Sequence, residues 1–412
     1  MSTQTDRLES FTYARVLTLV VLGFIPAFSG AMINPTIPSI QATYSHVPNS
    51  HTLAQLVSTT SAWVVLIAAP TTGYLLDKYA RKPILLAAVV IFGVGTSIAF
   101  FLDSIYLILA TRIFDGIAIA AINVTVPTLI SDYYSGGRRE SVMGYFTAAS
   151  SGGGVLAALL GGYIAGSIGW RYIFLIYALA LLFVPFIIRF LTEPEVTEKT
   201  SDESGRIEAT INIVRNNPAW LLLSIYVLVL LAMVTTNLVQ IEVPYYLTGG
   251  LDVSDSNVGI ILSSVSLVAF VMASLYGQIK QRLRHITIMT LAFGISSLGF
   301  ISIATFDTLL PVYLGILTSA VGFGVIIPAA NDWVAKVVDQ EYRGRALSGV
   351  TMFMYGGFAL SPFAPNPLIN AFGRLGMLRV AGIFLAIVAL ALFGLWFKSR
   401  GVPESETALA DD

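Results

Sequence analysis

The chain has 412 residues, of which 56% are hydrophobic and only 11% are charged, and its formal net charge is −1. Soluble domains carry about 25% charged residues, so this composition indicates a protein whose surface faces lipid. A net charge close to zero argues against nucleic acid as a partner. The chain has no cysteine, which excludes disulfides and thiolate sites, and its three unclustered histidines argue against a metal site.

The apolar segments predict twelve transmembrane helices, because each is close to the roughly 20 residues that a membrane-spanning helix needs. Eleven segments contain no Asp, Glu, Lys or Arg, and the fourth contains only Arg112 and Asp115. Pro35 and Pro38 predict either a break that lines a cavity or an ordinary stop near the end of the first helix. In chain order the predicted helices are Val16–Ser45, Thr52–Leu76, Pro83–Leu102, Ile105–Ser131, Ser141–Trp170, Tyr172–Ile188, Asn216–Ile241, Ser256–Ile279, Ile286–Phe306, Thr308–Asn331, Ala346–Gly373 and Val380–Phe397.

The basic residues between these helices predict the orientation of the chain. With the N-terminus inside, 19 of the 23 Lys and Arg residues fall in cytoplasmic segments. Only Arg171, Arg374 and Arg379 then fall outside. Because cytoplasmic loops are enriched in Lys and Arg, we expect both termini in the cytoplasm and a multi-pass protein of the cytoplasmic (inner or plasma) membrane.

A hydrophilic stretch separates the sixth and seventh predicted helices. Residues 192–215 are rich in Glu, Ser and Thr, which is typical of a cytoplasmic linker. We therefore predict an N-terminal six-helix bundle over residues 1–191 and a C-terminal six-helix bundle over residues 216–398. Residues 399–412 would form a cytoplasmic tail.

The two halves resemble each other at a constant offset. A shift of 204 residues aligns Gly73 with Gly277 and Gly169 with Gly373. Such internal similarity indicates a repeated structural unit. The predicted fold is an all-α integral membrane protein with two pseudo-repeated six-helix bundles. Repeats of this kind are typical of secondary transporters, whose substrate site lies near the midplane between the halves.

Polar side chains recur in every third predicted helix. Helices 1, 4, 7 and 10 contain amide or charged residues, whereas helices 3, 6, 9 and 12 contain none. Lipid offers no hydrogen-bond partners, so such groups must face protein or a wet cavity. We predict that helices 1, 4, 7 and 10 line a substrate cavity, and that its polar contacts are Asn34, Asn123, Asn237 and Gln240.

Arg112 and Asp115 are predicted to be the only charges deep within any helix, with Glu242 placed at the end of helix 7. Three residues correspond to about 60° around a helix, so the two charges share one face with Asn123. One interpretation is a static ion pair that holds helix 4 against its neighbours. The other is that Asp115 carries the transported proton, because arginine is always charged, and that Arg112 tunes it or positions an anionic group.

Two motifs resemble signatures of the major facilitator superfamily, and the resemblance extends over essentially the whole chain. The stretch "RIFDGIAIAA" (112–121) resembles the helix-4 motif R-x-x-Q-G-x-x-x-A, with Asp115 at the glutamine position. The stretch "GYLLDKYARK" (73–82) resembles the loop 2–3 signature G-x-L-x-D-[RK]-x-G-R-[RK], with Ala80 at the second glycine. The matching residues of this loop are Gly73, Leu75, Asp77, Lys78, Arg81 and Lys82.

The resemblance implies a role for this loop. In the superfamily, the loop acid interacts with the positive end of helix 11 and with nearby bases, and so latches the cytoplasmic faces together. A carboxylate favours a helix N-terminus, which agrees with that role. The alternative is that the bases only set the topology at a tight turn. The predicted latch residues are Gly73, Asp77, Lys78 and Arg81.

The resemblance further implies a monomeric secondary active transporter that works by alternating access. We expect proton-coupled efflux of a small organic molecule, either a drug or a metabolite such as a siderophore. Helix 5 departs from the antiporter signature, because Ala157 and Ala158 stand where a Gly-Pro pair is usual. Close helix packing is the alternative explanation for its glycines.

Three alternatives to efflux remain from the sequence. They are proton-coupled uptake or facilitated exchange of a nutrient, a membrane enzyme, and a transporter-like receptor or scaffold. The enzyme would need a convergent set of catalytic groups, and no phosphate-binding loop is present. We expect no enzymatic activity, no cofactor and no metal. The expected partners are a small-molecule substrate, protons and the lipid bilayer.

Overall fold

All regular secondary structure in residues 13–194, 219–338 and 343–398, the part of the chain that the computed structural model describes, is helical. The side chains of Asp77 and Lys398 lie outside this description. Most of the predicted linker and the whole predicted tail lie outside it as well, so the proposed domain boundaries stay a prediction.

Twelve principal helices account for the described residues, and eleven of them are long and apolar enough to cross a membrane. The predicted all-α membrane architecture is confirmed, while the orientation of the termini stays a prediction. The helices are α1 (Tyr13–Thr43), α2 (Ser50–Lys78), α3 (Arg81–Phe101), α4 (Ile105–Tyr133), α5 (Gly136–Ser167), α6 (Trp170–Phe190), α7 (Ala219–Gly250), α8 (Asp255–Lys280), α9 (His285–Thr305), α10 (Leu309–Val337), α11 (Arg343–Leu360) and α12 (Asn366–Lys398).

The boundary between α11 and α12 differs from the prediction. The sequence predicted one helix to Gly373, but α11 ends at Leu360 and α12 begins at Asn366. Pro362 and Pro365 lie between them, and proline both lacks an N–H donor and restricts the preceding residue. α12 then runs through Gly373, where φ is +70° and the helix is kinked.

The prolines of α1 interrupt the helix without ending it. A 3₁₀ segment occupies Asn34–Thr36, and α-helix resumes over Ile37–Thr43. Nearer the N-terminus, α1 has a turn at Leu22 and Gly23. Pro26 follows four residues after Leu22, at the distance where its ring clashes with the preceding carbonyl. The interruption predicted from the sequence is present, and a second one precedes it.

The chain forms two compact units. The first comprises residues 1–199 and 252–263, and the second comprises residues 200–251 and 264–412. In the first unit, α1 packs on α5 and α2 packs on α4. In the second unit, α9 packs on both α10 and α12.

Glycines allow α5 to approach α1. A Cβ atom on Gly161 would lie 2.1 Å from the carbonyl oxygen of Met32, and one on Gly153 would lie 3.0 Å from the Phe24 ring. Small residues permit such close contact between membrane helices. These contacts favour the packing explanation for the glycines of α5.

We expect Gly161→Ala to lower the melting temperature of the purified protein, because the added methyl group overpacks the α1–α5 contact at a cost of about 1–3 kcal/mol. Gly154→Ala is the matched control, since a Cβ atom there meets no atom within 4 Å. Alanine favours helix by about 1 kcal/mol over glycine, so the control should melt at the parent temperature or above it. Equal melting temperatures for the two variants would contradict this account of the contact.

Candidate functional site

Two fully buried charges form the centre of the site in the first unit. Arg112 and Asp115 lie one turn apart on α4, and both are 0% exposed. Asp115 Oδ2 accepts hydrogen bonds from Arg112 Nη2, from Ser29 Oγ at 2.5 Å and from Ser61 Oγ. Arg112 Nη2 also donates to Ser29 Oγ at 3.0 Å. The charged pair therefore joins α4 to α1 through Ser29 and to α2 through Ser61.

The pair is only partly satisfied by hydrogen bonds. Among the described residues, Asp115 Oδ1, Arg112 Nε and Arg112 Nη1 are buried and have no hydrogen-bond partner. A buried polar atom without a partner costs about 1–3 kcal/mol, and more where the group is charged. One carboxylate oxygen and two guanidinium nitrogens are therefore available for a proton, a water molecule or an anionic group.

Aromatic rings of α6 cover the guanidinium. The Cζ atom of Arg112 lies 5.7 Å from the ring centroid of Tyr177 and 6.0 Å from that of Phe174. The Tyr177 hydroxyl donates to the backbone oxygen of Ser29 at 3.0 Å. Cations are attracted to ring faces at this range, so α6 joins α1, α2 and α4 around the same charge.

The predicted cavity amides divide between the two units. In the first, Asn34 is 4% exposed and accepts a hydrogen bond from Ser58 Oγ at 2.6 Å, while Asn123 is half-buried on α4. In the second, Asn237 Nδ2 donates to Ser361 Oγ at 2.5 Å, and Gln240 is half-buried one turn further along α7.

The second half of the predicted latch is held within the first unit. Arg81 Nε lies 2.8 Å from Asp132 Oδ2 at the end of α4. The backbone N–H groups of Arg81 and Lys82 donate to the two carboxylate oxygens of Glu193 at 2.6 and 2.9 Å. A carboxylate is favourable at a helix N-terminus, where backbone donors are unpaired. Glu193 therefore caps α3 and ties it to the end of α6.

The first half of the loop places Lys78 beside an aromatic ring. Lys78 Nζ is exposed, donates to the Tyr74 hydroxyl and lies 4.3 Å from the centroid of that ring. A Cβ atom on Gly73 would meet no described atom within 4 Å. The side chain of Asp77, the predicted latch acid, lies outside the described residues.

A third buried charge, Glu242, lies in the second unit, which corrects the prediction that Arg112 and Asp115 are the only deep charges. α7 continues to Gly250, so Glu242 lies inside the helix and not at its end, and it is 0% exposed. Arg374 Nε donates to Glu242 Oε2 at 3.1 Å, and its Cζ atom lies 4.8 Å from the ring centroid of Tyr245.

The whole chain matches a known family. A sequence profile described as Major Facilitator Superfamily matches residues 19–362 and 225–411. The chain belongs to the major facilitator superfamily. It is 22% identical over 375 residues to the "Bacillibactin exporter" of Bacillus subtilis, with 84% of this chain and 88% of that protein covered. It is 21% identical over 349 residues to the "Multi-drug resistance efflux pump PmrA" of Streptococcus pneumoniae, with 82% and 84% covered.

Solved structures share the fold. A bacterial homologue of the human lysosomal transporter Spinster, in an inward-facing and unoccupied conformation, superposes with a TM-score of 0.76. The two chains are 18% identical, and the match covers 97% of this chain and 98% of that one. The protein is therefore a membrane transporter of the superfamily with its twelve-helix fold.

Several partners in the site were not predicted. Ser29 and Ser61 contact Asp115. Asp132 and Glu193 contact the end of the loop between α2 and α3, which carries the signature of the superfamily. Serine is common in membrane helices, so no local pattern identified Ser29 or Ser61 as a partner of Asp115. The Glu242–Arg374 pair had no signal in the repeat, because a shift of 204 residues aligns Asp103, the partner of Arg171, with Asp307 and not with Glu242.

We expect Glu242→Gln to lower the melting temperature, because Arg374 would keep its charge and lose a buried partner, at a cost of about 1–3 kcal/mol. Asp103→Asn is the matched control, since its carboxylate is 96% exposed and exposed ion pairs contribute little. Thermal unfolding of both variants in the same detergent measures the difference. If both melt at the parent temperature, the buried pair contributes no more than the exposed one.

Proposed function

We propose that the protein is a secondary active transporter that exports a small organic molecule in exchange for protons, with the Arg112–Asp115 pair as the coupling site. The observation that carries this proposal is the burial of a titratable carboxylate beside a permanent cation within α4. Ionisable groups at membrane depth are costly and mark substrate or proton pathways. The names of the exporter and the efflux pump similar to this chain favour export, of a drug or of a metabolite such as a siderophore.

The hydrogen bonds of Asp115 suggest where the proton binds. Oδ2 accepts three donors, whereas Oδ1 accepts none from the described residues. A proton can therefore add to Oδ1 while Ser29 and Ser61 keep their bonds to Oδ2. Neutral Asp115 attracts Arg112 less strongly, and the guanidinium becomes free to bind an anionic group of the substrate. Since Ser29, Ser61 and Tyr177 connect the pair to α1, α2 and α6, a change of charge acts on three neighbouring helices.

The loop of Gly73, Asp77, Lys78 and Arg81 is proposed as the cytoplasmic latch of the transport cycle. Its end is anchored by the Arg81–Asp132 ion pair and by Glu193 at the N-terminus of α3. The Arg81–Asp132 pair is a charge-assisted contact that one conformation can make and another can break, as a conformational latch requires. Asn34, Asn123, Asn237 and Gln240 are proposed to line the substrate path. Both termini would lie in the cytoplasm, and the unit of transport would be the monomer.

We expect Asp115→Asn to abolish accumulation driven by a pH gradient while exchange of substrate without a gradient continues, because the variant has no titratable group at this site. The substrate is first identified by comparing the metabolites exported by cells with and without the gene. Transport is then measured with purified protein in sealed vesicles, where the direction relative to the imposed gradient also separates export from uptake.

Ser61→Ala is the matched control, because it removes one donor to Asp115 and keeps the carboxylate, so gradient-driven accumulation should persist. If Arg112 without its partner destabilises Asp115→Asn, the double variant Arg112→Gln with Asp115→Asn removes both charges and should show the same loss. Accumulation that survives in a folded Asp115→Asn or double variant would leave the pair a structural role only.

We expect single cysteines at Asn34 and Asn237 to react with small aqueous thiol reagents, since the parent has no cysteine and both positions are proposed to line the path. Adding Asp77→Asn should change the ratio of labelling from the two sides of the membrane, because the latch then holds the cytoplasmic faces less tightly. Lys82→Gln is the control, as Lys82 is not among the latch residues. No labelling from either side would contradict the lining, and an unchanged ratio in Asp77→Asn would contradict the latch.

A further inference from the structure

A cavity of about 220 Å³ lies within the first unit between α1, α3 and α6. Every side chain that lines it is apolar or aromatic, and none belongs to the proposed proton or substrate residues. Half of the ten lining side chains are aromatic: Phe24, Phe28, Phe92, Tyr177 and Phe183.

All three helices depart from regular α-helix beside this cavity. α1 has its turn at Leu22 and Gly23, α3 is a π-helix over Ile91–Gly95, and α6 is a 3₁₀-helix over Ala178–Leu182. Segments of this kind within longer helices recur at functional sites. The cavity therefore coincides with three separate irregularities.

The sequence specifies these irregularities. Pro26 lies four residues after Leu22, and Pro185 lies four residues after Leu181, so each proline removes one helical hydrogen bond and crowds that carbonyl. On α3, a Cβ atom at Gly93 would lie 2.7 Å from Leu181 Cγ, so glycine is needed where α3 meets α6. Two prolines and one glycine therefore accompany the irregular segments beside the cavity.

The cavity is reached from the lipid side. Leu179 lines it and is 56% exposed. Its neighbours along α6, Leu175, Leu182 and Phe186, are exposed as well. Because α6 is long and apolar enough to cross a membrane, we expect these side chains to face hydrocarbon and the cavity to lie next to the bilayer.

The inner wall of the cavity is shared with the charged pair. Tyr177 is 1% exposed and lines the cavity, and it packs edge-on against Phe92 with their ring centroids 5.3 Å apart. Its hydroxyl donates to Ser29, and its ring lies 5.7 Å from the Arg112 guanidinium. A molecule in the cavity therefore contacts a side chain that also contacts the Arg112–Asp115 pair.

We propose that this cavity binds the aromatic ring system of a lipophilic small molecule taken up from the bilayer, and that Tyr177 places the bound ring beside Arg112 and Asp115. An engineered apolar cavity of about 150 Å³ binds benzene, so this larger one fits a two-ring system. The aromatic walls favour edge-to-face and offset contacts with a flat ring. The proposal rests on the proposed function only where it takes the bound molecule to be the exported substrate. Binding in the cavity itself needs no transport.

The test uses the full-length protein in lipid nanodiscs with a naphthalene that carries a photoreactive diazirine. After illumination, mass spectrometry should find the label on α1, α3 and α6, and excess naphthalene should prevent the labelling. Ala180→Phe places a ring inside the cavity and should reduce labelling by about tenfold or more. Leu182→Phe places the same ring on the exposed face of α6, outside the cavity, and should label like the parent.

A second variant guards against misfolding of Ala180→Phe. Phe183→Ala enlarges the cavity without overpacking and should admit a photoreactive pyrene that the parent excludes. Label on other helices, equal labelling of the parent and Ala180→Phe, or no gain of pyrene labelling in Phe183→Ala would overturn the proposal. Competition by a photoreactive phospholipid acyl chain but not by naphthalene would overturn it too, since the occupant would then be lipid.

The outcome is separable from that of the proposed function. A protein that is labelled in the cavity but shows no gradient-driven transport contradicts the proposed function alone. A protein that transports but is not labelled there contradicts the cavity alone.

Discussion

The first unit is organised around one buried carboxylate. Asp115 Oδ2 receives donors from α1, α2 and α4, and the arginine beside it is covered by rings of α6. An isolated ion at membrane depth costs at least a few kcal/mol, so every helix that contributes a partner lowers that cost. Four helices are thereby held to one point by electrostatics, in a solvent where apolar contacts between helices differ little from contacts with lipid.

Proline and glycine shape the space beside that carboxylate. Pro26 and Pro185 each remove a helical hydrogen bond from α1 and α6 near the cavity, and Gly93 lets α3 approach α6. The charged pair and the apolar cavity share Tyr177, so the chemistry of one cannot change without a change in the contacts of the other.

The sequence predicted those features that follow from solvent and chain geometry. Twelve apolar runs predicted the membrane helices. Arg112 and Asp115 of α4 could be singled out because charged residues are rare within membrane helices. Glu242 was misplaced because the seventh predicted helix was ended before this residue, its first charge. In the structure α7 continues past Glu242, which pairs with Arg374, a residue distant in sequence. The end of α11 was misplaced because composition remains apolar through Pro362 and Pro365, where hydrogen bonding fails. Ser29 and Ser61 act as donors to Asp115 only because the fold brings their helices together, and no local sequence pattern predicts that contact.

The repeat explains why the two halves share a fold and differ in chemistry. Arg81 begins α3 and pairs with Asp132 at 2.8 Å; 204 residues later, His285 begins α9 and its Nε2 lies 2.7 Å from Asp332 Oδ2. The same position therefore carries a permanent cation in one half and a titratable group in the other. The arginines that follow Gly169 and Gly373 also have different partners, since Arg171 pairs with the exposed Asp103 and Arg374 pairs with the buried Glu242. The repeated fold therefore sets where an ion pair can form in each half, and the residue at that position decides whether its charge can change.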